Sequence, residues 1–373
     1  MKLLYVVNEA QFFLSHRLPL GLEALAQGVE VLVVSAPDTG EAALAEYGFR
    51  HVPVPMSRSD FRLRDEYRTF EALRAIYRQE KPDLVHHVTI KPVVYGSFAA
   101  RSAGVPALVN AVPGMGFIFT RRGRWAAIRR AFVNMLYRLA MSHPNMRVIF
   151  QNIEDLRGFV GHAIIKKDEA VLIRGSGVDL ELFAPSEPPD TPLTFVLPSR
   201  MLRDKGVIEF AQAAKRVKEL HPDWEFWMLG GVDPGNPSSL ATSELVEMER
   251  DYGVKWLGHR DDVAQILRQS HVVCLPSYRE GVPKVLLESA AVGRAMIASD
   301  IAGCREVITQ GVTGLLVAPR DADGLAEAMC KLGEDDQLRN QCGRAAREKA
   351  EAVFSVQDVV EHTFRVYSEV LAG

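Results

Sequence analysis

Short runs of β-branched and large apolar residues alternate along this chain with stretches whose apolar positions recur every three or four residues. Runs at 3–7, 29–35, 84–88, 107–112, 147–151 and 170–173 form one series. Those at 193–198, 225–229, 254–257, 272–275, 295–299 and 314–317 form a second. Their length suits strands buried on both faces. Helical periodicity fills 18–27, 65–79, 207–220 and 322–332. Alternating strand and helix predicts parallel sheets covered by helices on either side. The series part at Ala184-Pro-Ser-Glu-Pro-Pro-Asp-Thr-Pro192, where the prolines prevent regular structure. The expected architecture is therefore α/β, with two doubly wound, Rossmann-like domains facing across a cleft. Residues 1–183 form the first domain, 184–192 a linker and 193–355 the second domain. A terminal helix over 356–373 has the option of returning to the first. Such folds bind ligands beyond the carboxyl ends of their strands.

Composition narrows the class. At 373 residues the chain is too long for one ordinary core, and 47% hydrophobic with 24% charged residues is a globular balance. No apolar run approaches the roughly 20 residues of a membrane-spanning helix. The segment Met1-Lys-Leu-Leu-Tyr-Val-Val-Asn8 turns polar too soon for a signal peptide. Cys274, Cys304, Cys330 and Cys342 contain no C-x-x-C pair, so neither a disulfide nor a zinc framework is indicated. A cytoplasmic protein is expected.

Charge is distributed unevenly. Between Asp83 and Glu154 there is no acidic residue, while Lys91, Arg101, Arg121, Arg122, Arg124, Arg129, Arg130, Arg138 and Arg147 are basic. One sign of charge over that distance points to an anionic partner. Within it Trp125, Ile128, Phe132, Met135, Leu136 and Leu139 recur at helical spacing. Most of this stripe is expected to pack on its sheet. Arg121, Arg122, Arg124, Arg129 and Arg130 would then meet phospholipid or a pyrophosphate group, each cation contributing ~1 kcal/mol near an anionic leaflet. That places the protein peripherally on the inner membrane face. No nucleic-acid partner is expected.

The chemistry concentrates in the second half. After the run ending at Leu275 comes Pro276-Ser-Tyr-Arg-Glu280-Gly-Val-Pro283-Lys-Val-Leu-Leu-Glu288. Pro283 suits the first turn of a helix. Backbone N–H groups around Gly281, Val282, Lys284 and Val285 would then face a ligand at the positive end of the helix dipole, which suits a diphosphate. Glu280 lies before the helix and Glu288 within it, two carboxylates able to accept from sugar hydroxyls. Arg200 and Lys205 occupy a strand-to-helix loop at the same sheet edge and could neutralise a departing pyrophosphate without a metal. Asp321-Ala-Asp323 mimics a D-x-D metal motif, but its place before a helix fits capping, so no metal or cofactor is expected. The first turn, Asn8 to Arg17, has no glycine, which argues against a dinucleotide-dependent dehydrogenase.

These pieces, with Gly177-Val-Asp-Leu-Glu-Leu-Phe-Ala-Pro185, Ser199-Arg200, Lys205-Gly206, Leu257-Gly-His-Arg260 and Gly311-Val-Thr-Gly314, resemble the GT-B-fold retaining glycosyltransferases of family 4 over nearly the whole chain. The resemblance implies that Arg200 and Lys205 bind donor phosphates, Glu280 the donor sugar and Glu288 the ribose. It implies that Gly258, His259 and Arg260 lie near the base, with Tyr278 among the donor contacts. The segments Phe12 to Arg17, His86-His-Val-Thr-Ile-Lys-Pro92 and Asn110-Ala-Val-Pro-Gly-Met-Gly116 are similar to those of transferases acting on lipid-linked saccharides. His16, His87, Lys91, Gly114 and Gly116 are the acceptor-side candidates. Many relatives have a sugar-contacting histidine where this chain has Pro113-Gly114. The implied reaction moves a hexose or N-acetylhexosamine, preferably from a UDP-sugar, to an undecaprenyl-diphosphate-linked saccharide. A non-hydrolysing sugar-nucleotide epimerase and a non-catalytic sugar-nucleotide-binding subunit are the alternatives.

Overall fold

A computed structural model describes the backbone of residues 1–56, 63–112 and 124–372, with side chains at all of these but 63, 124–130 and 132. The chain forms two compact units, Met1–Ser176 with Gln357–Gly373, and Gly177–Val356.

The first unit is a parallel sheet of β1 (Lys2–Glu9), β2 (Glu30–Ala36), β3 (Arg50–Pro53), β4 (Leu84–Val88), β5 (Ala107–Val112), β6 (Met146–Phe150) and β7 (Ala170–Leu172). Its order is β3-β2-β1-β4-β5-β6-β7. The pleat of β1 shows why its run is continuously apolar. Leu4 and Val6 enter one core, while Leu3, Tyr5 and Val7 enter the other. Each fully buried side chain of this size contributes about 1.5–3 kcal/mol. The helix Val356–Ala372 completes the second of these cores with Val359, Val366, Tyr367 and Val370. Tyr367 Oη also reaches His86 Nδ1 at 2.5 Å and Tyr5 Oη at 3.1 Å.

The second unit is a parallel sheet of β8 (Thr194–Pro198), β9 (Glu225–Leu229), β10 (Lys255–Gly258), β11 (Val272–Leu275), β12 (Ala295–Ser299) and β13 (Gly314–Val317). It is ordered β10-β9-β8-β11-β12-β13. Phe195 and Leu197 of β8 pack on one face and Val196 on the other.

Two expectations need correction. The strand β3 escapes a hydrophobicity reading because it is a short sheet-edge strand, Arg-His-Val-Pro, with no fully buried residue. The proline-rich segment is not a free linker between units that meet at 183. Val178 bridges Ser355, Phe183 is buried, and the Arg294 guanidinium donates to Ser186 O at 2.7 Å and Glu187 O at 3.2 Å. Carbonyls that prolines leave without a ladder are satisfied here by a buried arginine, so the segment belongs to the second unit.

Candidate active site

In the second unit, four loops converge where parallel strands end. The loop after β8 carries Arg200 and Lys205, and turns into the helix Val207–Leu220 through Gly206, whose φ is 75°. A Cβ at Gly206 would stand 2.2 Å from Pro276 O, so glycine lets this loop touch the one after β11. Two further bonds join them. Tyr278 N–H donates to Asp204 O at 2.9 Å, and Tyr278 Oη donates to Glu209 at 2.6 Å. Burial, followed by the Glu209 carboxylate, pushes the Tyr278 phenol up to about 12.

That junction brings Lys205 to Glu280, with Nζ donating to Oε1 at 2.5 Å. The two side chains are 22% and 12% exposed, so the pair is sheltered yet reachable. Arg200 bonds Asp233 at 2.6 Å and is 48% exposed. The backbone of Glu280 and Gly281 lies against Gly303, where a Cβ would be 1.6 Å from Gly281 O. Pro283 is the cap of the helix Lys284–Val292, directly before its first turn. Val282 and Pro283 are buried and Gly281 is half-buried. The helix begins directly after the loop that holds Glu280, with the positive end of its dipole there. One turn in, Glu288 is buried, and Lys284 Nζ lies 3.4 Å from its Oε1. Desolvation raises the Glu288 carboxyl, with Lys284 opposing.

The β9 and β10 loops are joined by Gly230 N–H donating to Gly258 O at 2.8 Å. His259 beyond them is 78% exposed, and Arg260 is held by Asp262 at 2.6 Å. This edge can hold an anion between two cations and a helix N-terminus, and can offer carboxylates to hydroxyls. Asp321, by contrast, accepts from Gly324 N–H at 2.9 Å as a helix cap, and Asp323 pairs with Arg216.

Residues 192–335 match the family described as Glycosyl transferases group 1, and residues 2–152 match the one described as Glycosyl transferase 4-like. The chain is 27% identical to the N,N'-diacetylbacillosaminyl-diphospho-undecaprenol alpha-1,3-N-acetylgalactosaminyltransferase of Campylobacter jejuni, over 96% of this chain and 98% of that one. It is also 27% identical to the UDP-Gal:alpha-D-GlcNAc-diphosphoundecaprenol alpha-1,3-galactosyltransferase of Escherichia coli, over 86% and 84%.

The chain is a GT-B glycosyltransferase.

Its fold is shared with the sucrose-phosphate synthase of Thermosynechococcus elongatus, at a TM-score of 0.80 and 19% identity over 100% of this chain and 99% of that one. It is shared too with Anabaena HepE, solved with UDP, at 0.77 and 20% over 99% and 100%.

The acceptor-side candidates of this transferase fare differently. His87 is fully buried, its ring nitrogens engaged by Tyr77 Oη at 2.9 Å and Asn110 Oδ1 at 2.8 Å. Burial pushes its imidazole down to about 4. His87 is thus a core residue, and its expected acceptor contact is withdrawn. Lys91 is 8% exposed and ion-paired with Glu66 at 2.7 Å, so its charge is already answered within the first unit. His16 ends the helix Ala10–His16, half-buried, stacked on Phe12 at 4.4 Å and 2.6 Å from Ser15 Oγ. Gly114, Gly116, Arg121, Arg122 and the side chains of Arg124, Arg129 and Arg130 lie outside the described residues. Along the helix Arg124–Ala140, Tyr137 and Ala140 are buried, whereas Met135 and Leu139 are 50% and 48% exposed. Those two do not join the core as expected. Among the described residues, no helix is long and apolar enough to cross a membrane.

Sequence reasoning missed Asp233, Glu209 and Gly303. None carries a local motif signal. Each matters only through a partner distant in the chain: Arg200, Tyr278 and Gly281 respectively.

Proposed function

We propose that the transferase moves a hexose or N-acetylhexosamine from a UDP-sugar to a hydroxyl of an undecaprenyl-diphosphate-linked saccharide, with retention of α configuration and without a metal. The observation that carries this reading is the Lys205–Glu280 pair beside Arg200 and a helix N-terminus. It is supported by likeness over most of the chain to two transferases named for diphospho-undecaprenol acceptors.

On donor binding, the diphosphate competes with Glu280 for Lys205 and with Asp233 for Arg200. The freed Glu280 carboxylate then accepts from the donor sugar, and Glu288 accepts from the ribose. Gly281, Val282, Pro283 and Lys284 supply the helix-end backbone, Tyr278 braces the loop, and Gly258, His259 and Arg260 flank the base. The sugar C1–O bond to phosphate breaks as C1 bonds the acceptor oxygen on the same face. The acceptor proton passes to the departing phosphate oxygen, so no protein base is needed. Catalysis comes mainly from charge stabilisation of the diphosphate, where one such donor is worth about 10²–10³ in rate.

His16, Gly114 and Gly116 remain acceptor-side candidates. Exposed Met135 and Leu139, one turn apart and next to the basic stretch at Arg121–Arg130, favour peripheral contact of the first unit with an anionic leaflet. A thermal-shift screen of UDP- and GDP-sugars tests the donor. Selective stabilisation by a UDP-sugar is expected, and stabilisation by neither class would remove the proposed donor site.

A further inference from the structure

At the opposite edge of the second sheet, where strands begin, a separate set of side chains converges. His221 follows the helix Val207–Leu220, while Cys330 and Glu334 lie one turn apart on the helix Ala322–Glu334. One ligand-capable atom from each, a ring nitrogen, a thiol sulfur and a carboxylate oxygen, lies within 4.8 Å of the other two. His221 Nε2 is 2.9 Å from Glu334 Oε1, across 113 residues of sequence.

The arrangement is held from behind. The His221 ring stacks on Trp224 at 3.8 Å with planes 6° apart. Trp224 in turn seats on Gly333, where a Cβ would stand 2.1 Å from its ring. Glycine at 333 therefore lets the indole press against the second helix, fixing the imidazole opposite Cys330 and Glu334. The other three cysteines are fully buried, and Cys330 is half-buried beside this cluster.

We propose that His221, Cys330 and Glu334 form a three-ligand Zn²⁺ site that clips the end of one helix to the other and leaves a fourth position to solvent. One nitrogen, one sulfur and one oxygen donor are a ligand set that Zn²⁺ accepts in tetrahedral geometry. At metal–ligand distances of about 2.0–2.3 Å, neighbouring ligands stand roughly 3.5 Å apart. The His–Glu pair must open slightly and the thiol close by about 1 Å, a side-chain adjustment at a partly exposed surface. Binding releases the thiol proton to solvent, so the ligand is the thiolate. None of the three residues belongs to the donor edge, and the site stands apart from the transfer reaction.

The test uses the full chain without an affinity tag and Co²⁺ alone as a spectroscopic probe. One equivalent should bind with an intense thiolate-to-cobalt band in the near ultraviolet, and Zn²⁺ should erase it. Cys330→Ser should remove the band while leaving UDP release by the transferase unchanged, which certifies the fold. His221→Ala and Glu334→Gln should each weaken Co²⁺ binding at least tenfold. Absence of the band in the native chain, or a band that survives Cys330→Ser, would overturn the site.

Discussion

The two units share a topology of parallel strands and covering helices, and both carry charged or titratable residues that the sequence nominated for chemistry. They use them differently. In the second unit, Arg200 is 48% exposed, and Lys205 meets Glu280 within reach of solvent. In the first, His87 is sealed between Tyr77 and Asn110, and Lys91 is shut against Glu66. A partly exposed pair can exchange its partner for a ligand. A buried one cannot do so without losing the compensation that makes its burial tolerable. Residue type alone does not separate these cases, whereas exposure and exchangeable partners do.

The sharpest way to break this comparison is to substitute on both sides of it. Lys205→Ala should lower kcat by about 10²–10³ with little change in fold, as expected of a lost charge stabiliser. Activity near that of the native chain would remove Lys205 from the diphosphate site. His87→Ala should do the reverse. It should destabilise the first unit by about 2–4 kcal/mol, through a cavity and lost buried hydrogen bonds, and leave acceptor KM unchanged in the protein that remains folded. A raised acceptor KM at unchanged stability would restore His87 to the binding surface.

The same histidine has a pH signature. Its folded value, near 4, lies below the unfolded value of about 6.5, so the unfolded state takes up the proton first. Its contribution to stability is complete above pH ~6.5 and declines as pH falls toward 4. Denaturant titrations across that window should show a shallower acid decline in His87→Ala than in the native chain. Equal slopes would mean that the imidazole is not held neutral.

Glu288 gives a smaller effect of opposite sense. Burial raises its carboxyl, so the unfolded state ionises first as pH rises. Stability is fully present below the ordinary carboxylate range and declines above it. Glu288→Gln should therefore raise the Tm of the ligand-free protein at neutral pH, with the gain vanishing in acid, and weaken UDP-sugar binding. A lower Tm at neutral pH would show that Lys284 more than offsets the desolvation. Smallest of all, His259→Ala should change donor KM by less than about threefold, because a side chain 78% exposed is held by few contacts and is poorly fixed for a ligand. A tenfold rise would make it a base contact.

Much of the fold was legible because buried parallel strands are continuous apolar runs, and twelve of the thirteen strands among the described residues carry that signal. The missed β3 lies at a sheet edge, where burial no longer dictates apolar residues. The proposed donor edge was legible for a related reason. Its residues sit at fixed offsets from strand ends, so Glu280 and Lys205 could be set at one edge without knowing that they touch. His87 and Lys91 also sit at a strand and the turn after it. Whether such a side chain is open to a ligand depends on Tyr77, Asn110 and Glu66, which no local spacing reveals. The His221–Cys330–Glu334 cluster was hidden likewise, since only one of its three spacings is local.

The most direct measurement of the central claim is UDP release from UDP-N-acetylhexosamines and UDP-hexoses by the full-length transferase, with and without an undecaprenyl-diphosphate-linked saccharide. The account predicts release from one of these donors that requires the lipid-linked acceptor and produces an α-linked, lengthened saccharide. Release that ignores the acceptor, or none with any UDP-sugar in its presence, would contradict it.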